Sequence, residues 1–257
     1  MWRALNPVVH YVRLHAVRIW PVIGALLLWQ WAGAEFDAKT LPQPSVIAAL
    51  LWKEATAGEL LFHLGMTLRR VALSFSIAMA IGVVLGIGMG IYKRLDRLLD
   101  TFLIIGLNIP ALVTIVLCYI WFGLTETAAV VAVSLNKIPM VAISLREGAR
   151  ALDKNLSQVG LVYKLSWFDI ARKIVLPQLL PYLFGAIRNG LAIIWKIVLV
   201  VELLGCSNGV GFQIGSYFHF FDIAGVLAYT VAFTLVIFSI ELIVLRPTEK
   251  YLFRWRS

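Results

Sequence analysis

The sequence predicts an all-α integral membrane protein of six transmembrane helices, and three observations carry the prediction. Hydrophobic residues make up 61% of the 257-residue chain and charged residues 14%, with a mean hydropathy of +0.87, against roughly 45–50% apolar residues in an average soluble domain. The apolar residues gather in runs near the length of about 20 residues that a helix needs to cross a bilayer. The 23 Lys and Arg residues fall mostly between those runs, in alternate connections, which is the pattern that sets membrane orientation.

Six spans follow in order: 19–34, 71–92, 101–125, 127–145, 182–204 and 223–245. The first is the shortest and gains length if Arg18 snorkels. It follows Arg3, Arg13 and Arg18 but ends in no small-residue cleavage site, so a retained span is expected rather than a removed signal peptide. The second and third are long and uncharged. Within the second, Gly82, Gly86 and Gly90 recur every four residues and predict a smooth stripe on which another helix packs closely. The fourth is apolar except for Lys137. The fifth carries Arg188, Lys196 and Glu202, and the sixth only Glu241 near its end.

Orientation follows from the cations. The amino end has Arg3, Arg13 and Arg18, the second connection Lys93, Arg94 and Arg97, and the fourth Arg146, Arg150, Lys154, Lys164, Arg172 and Lys173. The tail adds Arg246, Lys250, Arg254 and Arg256, and its interleaved aromatic residues suit a lipid headgroup interface. The first connection offers only Lys39 and Lys53, diluted by acidic residues, and the third and fifth offer none. Both termini and the fourth connection are therefore expected in the cytoplasm. Arg69 and Arg70 stand at the outer end of the second span, where snorkelling would tolerate them. No Gly/Ser-rich linker or internal repeat divides residues 1–257, so a single transmembrane domain is expected.

Several classes are excluded. A net charge of +9 and a pI near 9.8 suit nucleic acid only where cations form a face, and here they sit in short clusters between apolar runs. Cys118 and Cys206 have neither pair spacing nor a nearby histidine cluster, so no disulfide or metal is expected. His10, His15, His63 and His219 lack metal-ligand spacing, and no catalytic triad can be nominated. Gly-x4-Gly-Lys-Ser/Thr is absent, so this chain cannot itself cradle ATP phosphates in the usual way. The stretch 205–215, with Gly205, Gly209, Gly211 and Gly215, follows no strand; a re-entrant hairpin suits it better than a phosphate loop.

The fourth connection, 146–177, is longer than two helices need. Leu156, Val159 and Tyr163 recur at helical spacing, as do Phe168, Ala171 and Val175, while Asp153, Lys154, Lys164, Asp169, Arg172 and Lys173 stay polar. Short amphipathic helices along the inner membrane face are expected, ended by Pro177 and Pro181, which redirect the chain into the fifth span. Periodicity alone fits a lipid anchor as well as a protein-docking segment.

The stretch "GARALDKNLSQVGLVYKLSWFDIARKIVLPQLLPYLFGAIRNGL" resembles the cytoplasmic EAA loop of ATP-binding-cassette importer permeases, and more narrowly that of the nitrate, taurine and aliphatic-sulfonate branch of the methionine-importer-like, type I permeases. Gly148 and Asp153 match the lead-in, Ile174, Leu176 and Pro177 the Ile-x-Leu-Pro end, and Pro181 the proline that follows. "LPQPSVIAALLWKE", "TLRRVALSFSIAMAIGVVLGIGMG" and "IRNGLAIIWKIVLVVELLGCSNGVGFQI" keep the branch's order over about residues 18–250. Counting back from Pro177, the family's acidic residue falls on Gln158 and its glycine on Lys164, and Val159 and Gly160 replace its two alanines.

The resemblance implies a coupling helix that docks on a separate ATPase, drawn from Asp153, Lys154, Leu156, Ser157, Gln158, Val159, Gly160, Leu161, Tyr163, Lys164 and Pro177. Leu156, Val159 and Leu161, flanked by Lys154 and Lys164, are expected to face that partner. It also implies a second copy of the chain, two ATPase subunits that hold ATP and Mg²⁺, an extracytoplasmic solute-binding protein and surrounding lipid. No cofactor is expected in this chain, and no enzymatic activity or nucleic-acid partner.

Lys137 and Lys196 interrupt their spans near the middle, where a charge costs about 2.5–3.5 kcal/mol by insertion scales. Asn136 adjoins Lys137, and Asn189 lies seven residues before Lys196. Lys196 and Glu202 are six residues apart and cannot easily pair within one helix, although Glu202 could meet Lys137 or a second copy. With cations in excess, Asn136, Lys137, Arg188, Asn189, Lys196 and Glu202 are candidates for a path that attracts a small anion. The alternative is a secondary transporter or channel that uses Lys137, Lys196 and Glu202 as its own ion relay.

Overall fold

The computed structural model describes residues 7–36, 40–56 and 58–252; within these, the side chains of 7–19, 154, 157 and 161 are outside the description. The expectations for Arg3, Arg13, Arg18, Lys39, the tail 253–257 and the side chains of Lys154, Ser157 and Leu161 therefore lie outside the described residues. Those that are described are all-helical, without strands: α1 (Pro7–Glu35), α2 (Pro44–Thr56), α3 (Leu60–Ile91), α4 (Lys93–Asn108), α5 (Ala111–Phe122), α6 (Glu126–Arg150), α7 (Lys154–Val162), α8 (Trp167–Ile170), α9 (Leu176–Gly205), α10 (Val210–His219), α11 (Ile223–Ile240) and α12 (Arg246–Leu252).

Among the described residues, four helices are long and apolar enough to cross a membrane, or five if the bent pair α4–α5 counts as one span. That pair turns by 99° at Ile109–Pro110. The Ile109 N–H closes α4 on the Ile105 carbonyl, and Ile109 itself is extended, as the residue before proline prefers. The run 101–125 thus begins inside α4 and bends, where a single straight helix was expected.

The chain forms two compact units. Residues 1–60 and 214–232 make one. In it α2 folds back on α1: Gln30 Nε2 donates to Gln43 Oε1 at 2.9 Å and the Ser45 N–H donates to Gln30 Oε1 at 3.2 Å. Gly225 admits the ring of Tyr217, which lies 5.6 Å from that of Tyr229, and Tyr229 Oη donates to Glu54 Oε2 at 3.3 Å.

Residues 61–213 and 233–257 make the other unit, whose core is built on α6. Val141, Leu145 and Ala186 form one buried cluster, and Met89, Leu103 and Ala142 another. The glycine stripe of α3 lies against α6 as expected. A Cβ at Gly82 would stand 2.6 Å from Val141 Cβ, at Gly86 2.3 Å from the Ala142 carbonyl oxygen, and at Gly90 2.4 Å from Ala149 Cβ. At the same, C-terminal end of α6, Arg146 pairs with Asp100 (2.5 Å) and Asp96 (3.4 Å), and Arg150 with Asp96 (2.5 Å), so α4 is tied to α6 by charge as well as packing.

The prolines after α8 do not stop the helix. It runs from Trp167 to Gly205 through a π-helical turn, Ala171–Val175. The Leu176 N–H bonds to the Ala171 carbonyl, five residues back. In a regular α-helix the ring of Pro177 would press on the carbonyl four residues earlier and leave it without a donor; the wider turn relieves that conflict, so the helix continues instead of being redirected. Pro247 is met the same way, by a π turn over Glu241–Leu245.

Candidate functional site

Two places in the second unit concentrate polar chemistry. The first is the segment that follows α6. Asp153 Oδ1 accepts from the Asn155 N–H (2.8 Å), which starts α7, and the Asp153 N–H donates to Gln178 Oε1 (2.9 Å). Gly160 is buried because Ile170 and Ile174 lie across it, 2.9 Å from where a Cβ would begin. The segment is therefore fastened at two points to the helix that runs through the π turn into α9. Its other side is open: Leu156 and Val159 are 48% and 50% exposed, Tyr163 and Trp167 more so, and Gln158 and Lys164 are exposed. Pro177 lies within α9, not in a loop.

Lys164 occupies the left-handed region, with φ +54°. The Leu165 N–H bonds to the Gly160 carbonyl at 3.0 Å, which makes this turn the six-to-one helix stop that normally takes glycine. The left-handed turn survives the loss of the glycine, at a steric cost carried by lysine. Lys164→Gly should stabilise the end of α7 by about 1 kcal/mol, raising amide protection over α7 roughly five-fold. Hydrogen exchange read by mass spectrometry checks this.

The second place lies at the opposite end of α9. His63, Thr67, Arg70 and Ser74 are spaced four, three and four residues apart on one face of α3, and all four are buried. Arg70, 2% exposed, donates through Nη1 to Glu202 Oε1 (2.7 Å) and to the Asn208 carbonyl (2.9 Å), and through Nε to Glu126 Oε2 (2.8 Å). Its Nη2 also meets Glu126 Oε1 and Asn208 Oδ1. Glu202 is fully buried, and its Oε2 accepts from Thr67 Oγ1 (2.9 Å) and from the Gly211 N–H (2.8 Å). The Gly209 N–H donates to His63 Nδ1 (3.0 Å), and the Gln213 amide lies 2.7 Å from the other ring nitrogen.

The glycines of 205–211 have their reason here. Gly209 has φ +108°, and a Cβ on it would lie 2.4 Å from the Glu202 carboxyl carbon; one on Gly211 would lie 2.2 Å from the Leu199 carbonyl oxygen. The glycine-rich turn wraps an anion after all, and the anion is a carboxylate of its own chain. Tyr119 Oη closes the far side on the Val201 carbonyl at 2.9 Å.

The candidate path residues separate accordingly. Glu202 meets Arg70, not Lys137. Arg70, expected to snorkel, is buried and bonds to Glu126, Glu202 and Asn208. Arg188 pairs with Glu241 (2.7 Å) and Glu249 (2.8 Å), so it is not a surplus charge. Lys196 and Asn189 are exposed, and Asn136 is half-buried beside Lys137. Lys137 is 2% exposed and touches Met140 Sδ of its own helix. Sequence reasoning missed the Arg70 site, although the spacing of His63, Thr67, Arg70 and Ser74 marked a polar helix face.

Buried ion pairs, close-packed glycines and long apolar helices define a polytopic membrane protein. Its fold is similar to that of a chain of the MetNI methionine ABC transporter, solved in an inward-facing conformation, with a TM-score of 0.64 at 18% identity over 76% of this chain and 98% of that one. Residues 78–246 match the family of binding-protein-dependent transport system inner membrane components, and the chain belongs to that family of ABC importer permeases. SsuC of Bacillus subtilis (strain 168), a permease named for aliphatic sulfonates transport, is 32% identical over 94% of this chain and 84% of its own. The riboflavin transport system permease protein RibX of Chloroflexus aurantiacus is 29% identical over 93% of this chain and 92% of its own.

Proposed function

We propose that this chain is the membrane-spanning subunit of an ATP-driven, binding-protein-dependent importer of a small anionic solute, a sulfonate, taurine, nitrate or related anion. It works as one permease domain of six spans with both termini in the cytoplasm, paired with a second copy, two ATPase subunits and an extracytoplasmic binding protein. ATP and Mg²⁺ belong to the ATPases.

The observation that carries this reading is the half-exposed apolar edge of α7, Leu156 and Val159, on a helix fastened by Gly160 and Asp153 to the start of a continuous lever. A partner that grips α7 pulls on Ile170, Ile174 and Gln178, and the unbroken helix from Trp167 to Gly205 passes the displacement into the membrane. Nucleotide-driven closure of two ATPases would thereby rock the spans between inward and outward access. The solute class is supported by the sulfonate relative and by Lys137 and Lys196, which have no carboxylate partner among the described residues.

Replacing Leu156 and Val159 together by aspartate should reduce co-purification with the ATPase at least ten-fold and abolish ATP-dependent uptake, with the permease still inserted. Uptake that survives this change, or that runs on a proton gradient with ATP withheld, would favour a secondary transporter. In that reading Glu202 would have to leave Arg70 to act as a relay with Lys137 and Lys196.

A further inference from the structure

The buried and partly buried cations of the second unit are answered by carboxylates with a single exception among the described residues. Arg70 has Glu126 and Glu202, Arg146 has Asp96 and Asp100, and Arg188 has Glu241 and Glu249. Lys137 has none among the described residues. Eleven residues separate it from Glu126 and thirteen from Arg150, which at 1.5 Å per residue puts it about 16 and 20 Å from the helix ends, in the middle of the bilayer. Its neighbour on α9, Gly190, is equally central in its own helix.

The packing around Lys137 is specific. A Cβ on Gly190 would lie 3.2 Å from Lys137 Cε and 3.4 Å from the edge of the Phe75 ring, so α9 gives up a side chain where the lysine lies. The ammonium is turned back onto Met140 Sδ, a weak acceptor. Methionine or leucine would fill this junction of α3, α6 and α9 without the electrostatic cost of an ammonium. Ser134, one turn earlier, turns its hydroxyl to the Val130 carbonyl (2.7 Å), with the Ser74 carbonyl at 3.3 Å.

We propose that Lys137 is the charge-reading group of the translocation path, and that it takes the oxyanion group of a small monovalent solute. This rests on the importer reading above. With α6 and α9 together, the lysine is buried against Gly190. When the transport cycle parts them, the lysine swings from Met140 toward the water-filled path and meets the passing anion. A lysine suits that role because it is a flexible point charge that attracts an oxyanion without the two-pronged grip of arginine, so the solute is recognised and released.

The test uses the whole complex of permease and ATPase in proteoliposomes and needs no knowledge of the natural solute. Met140→Cys, one turn from Lys137, serves as reporter in a chain carrying Cys118→Ala and Cys206→Ala. It is treated with a negatively charged sulfonatoethyl methanethiosulfonate and a positively charged trimethylammonioethyl methanethiosulfonate, each rate normalised to free cysteine. During ATP turnover the anionic reagent should react at least five-fold faster than the cationic one. Lys137→Met or Lys137→Gln should bring the ratio to about one. Absence of modification in every nucleotide state, or a ratio near one with Lys137 intact, overturns the proposal, and this arm decides even if both substitutions fail to assemble. A ratio that stays high without the lysine overturns it as well. A complex that forms and hydrolyses ATP while the reporter is never reached removes only the role of Lys137. Failure of the unmodified chain to hold any ATPase removes the importer reading itself.

Discussion

Glu202→Leu should destabilise the protein by about 3–5 kcal/mol, the loss that follows when one partner of a buried ion pair is removed. Against total stabilities of about 5–15 kcal/mol, that is a large share of the whole. The leucine fills the space but takes the carboxylate acceptor from the Gly211 N–H, and leaves Arg70 Nη1 with only the Asn208 carbonyl and Thr67 Oγ1 with only the His63 carbonyl. Arg70 keeps Glu126, which is half-exposed and cannot neutralise the inner end of the guanidinium. Arg70→Met should cost a similar amount, because it strands Glu202. The double variant Arg70→Met with Glu202→Leu should be less destabilised than the sum of the two by about 2 kcal/mol, the coupling of neighbours that share a network. Unfolding of the purified permease in a mixed-micelle denaturant series measures all three. Strict additivity would mean that the two charges do not depend on each other, against the 2.7 Å contact between them.

That pair also marks the boundary of what was legible in the sequence. The glycine stripe of α3 could be read because a four-residue period is a local property of one helix, and the face it implies is the face α6 uses. The Arg70 site could not be read that way, since its partners lie 56 and 132 residues distant along the chain. The expectation also erred for a physical reason. By composition Arg69 and Arg70 border an apolar span that starts at Val71, whereas α3 begins at Leu60. A charge ends a span only if water or headgroups must solvate it; Arg70 is solvated by Glu126, Glu202 and Asn208, so the helix carries it inside. Pro177 misled in the same direction. Proline breaks an α-helix by its geometry, but a π turn offers a second geometry, and composition alone does not say which is used.

Gly86→Ala should have the next largest effect, about 3 kcal/mol, the upper end for overpacking a filled core. The added methyl would lie 2.3 Å from the Ala142 carbonyl oxygen and 2.8 Å from Leu145 Cβ. The first of these is backbone, which cannot swing aside, so α3 and α6 must separate along the stripe. Gly65→Ala, in the same helix, meets nothing within 4 Å and should be neutral or stabilising by up to about 1 kcal/mol through helix propensity. The contrast removes propensity from the comparison, and equal effects at the two sites would mean that α3 and α6 do not approach as closely as the stripe requires. The consequence extends to coupling. α6 leads directly into α7, and Gly90 rests on Ala149 and the Arg146 carbonyl at the end of α6. A separation begun at Gly86 therefore displaces the base of the segment that a motor must grip. Gly86→Ala protein recovered folded should hold the ATPase yet couple poorly, with hydrolysis falling less than uptake, whereas Gly65→Ala should leave the two in their original ratio.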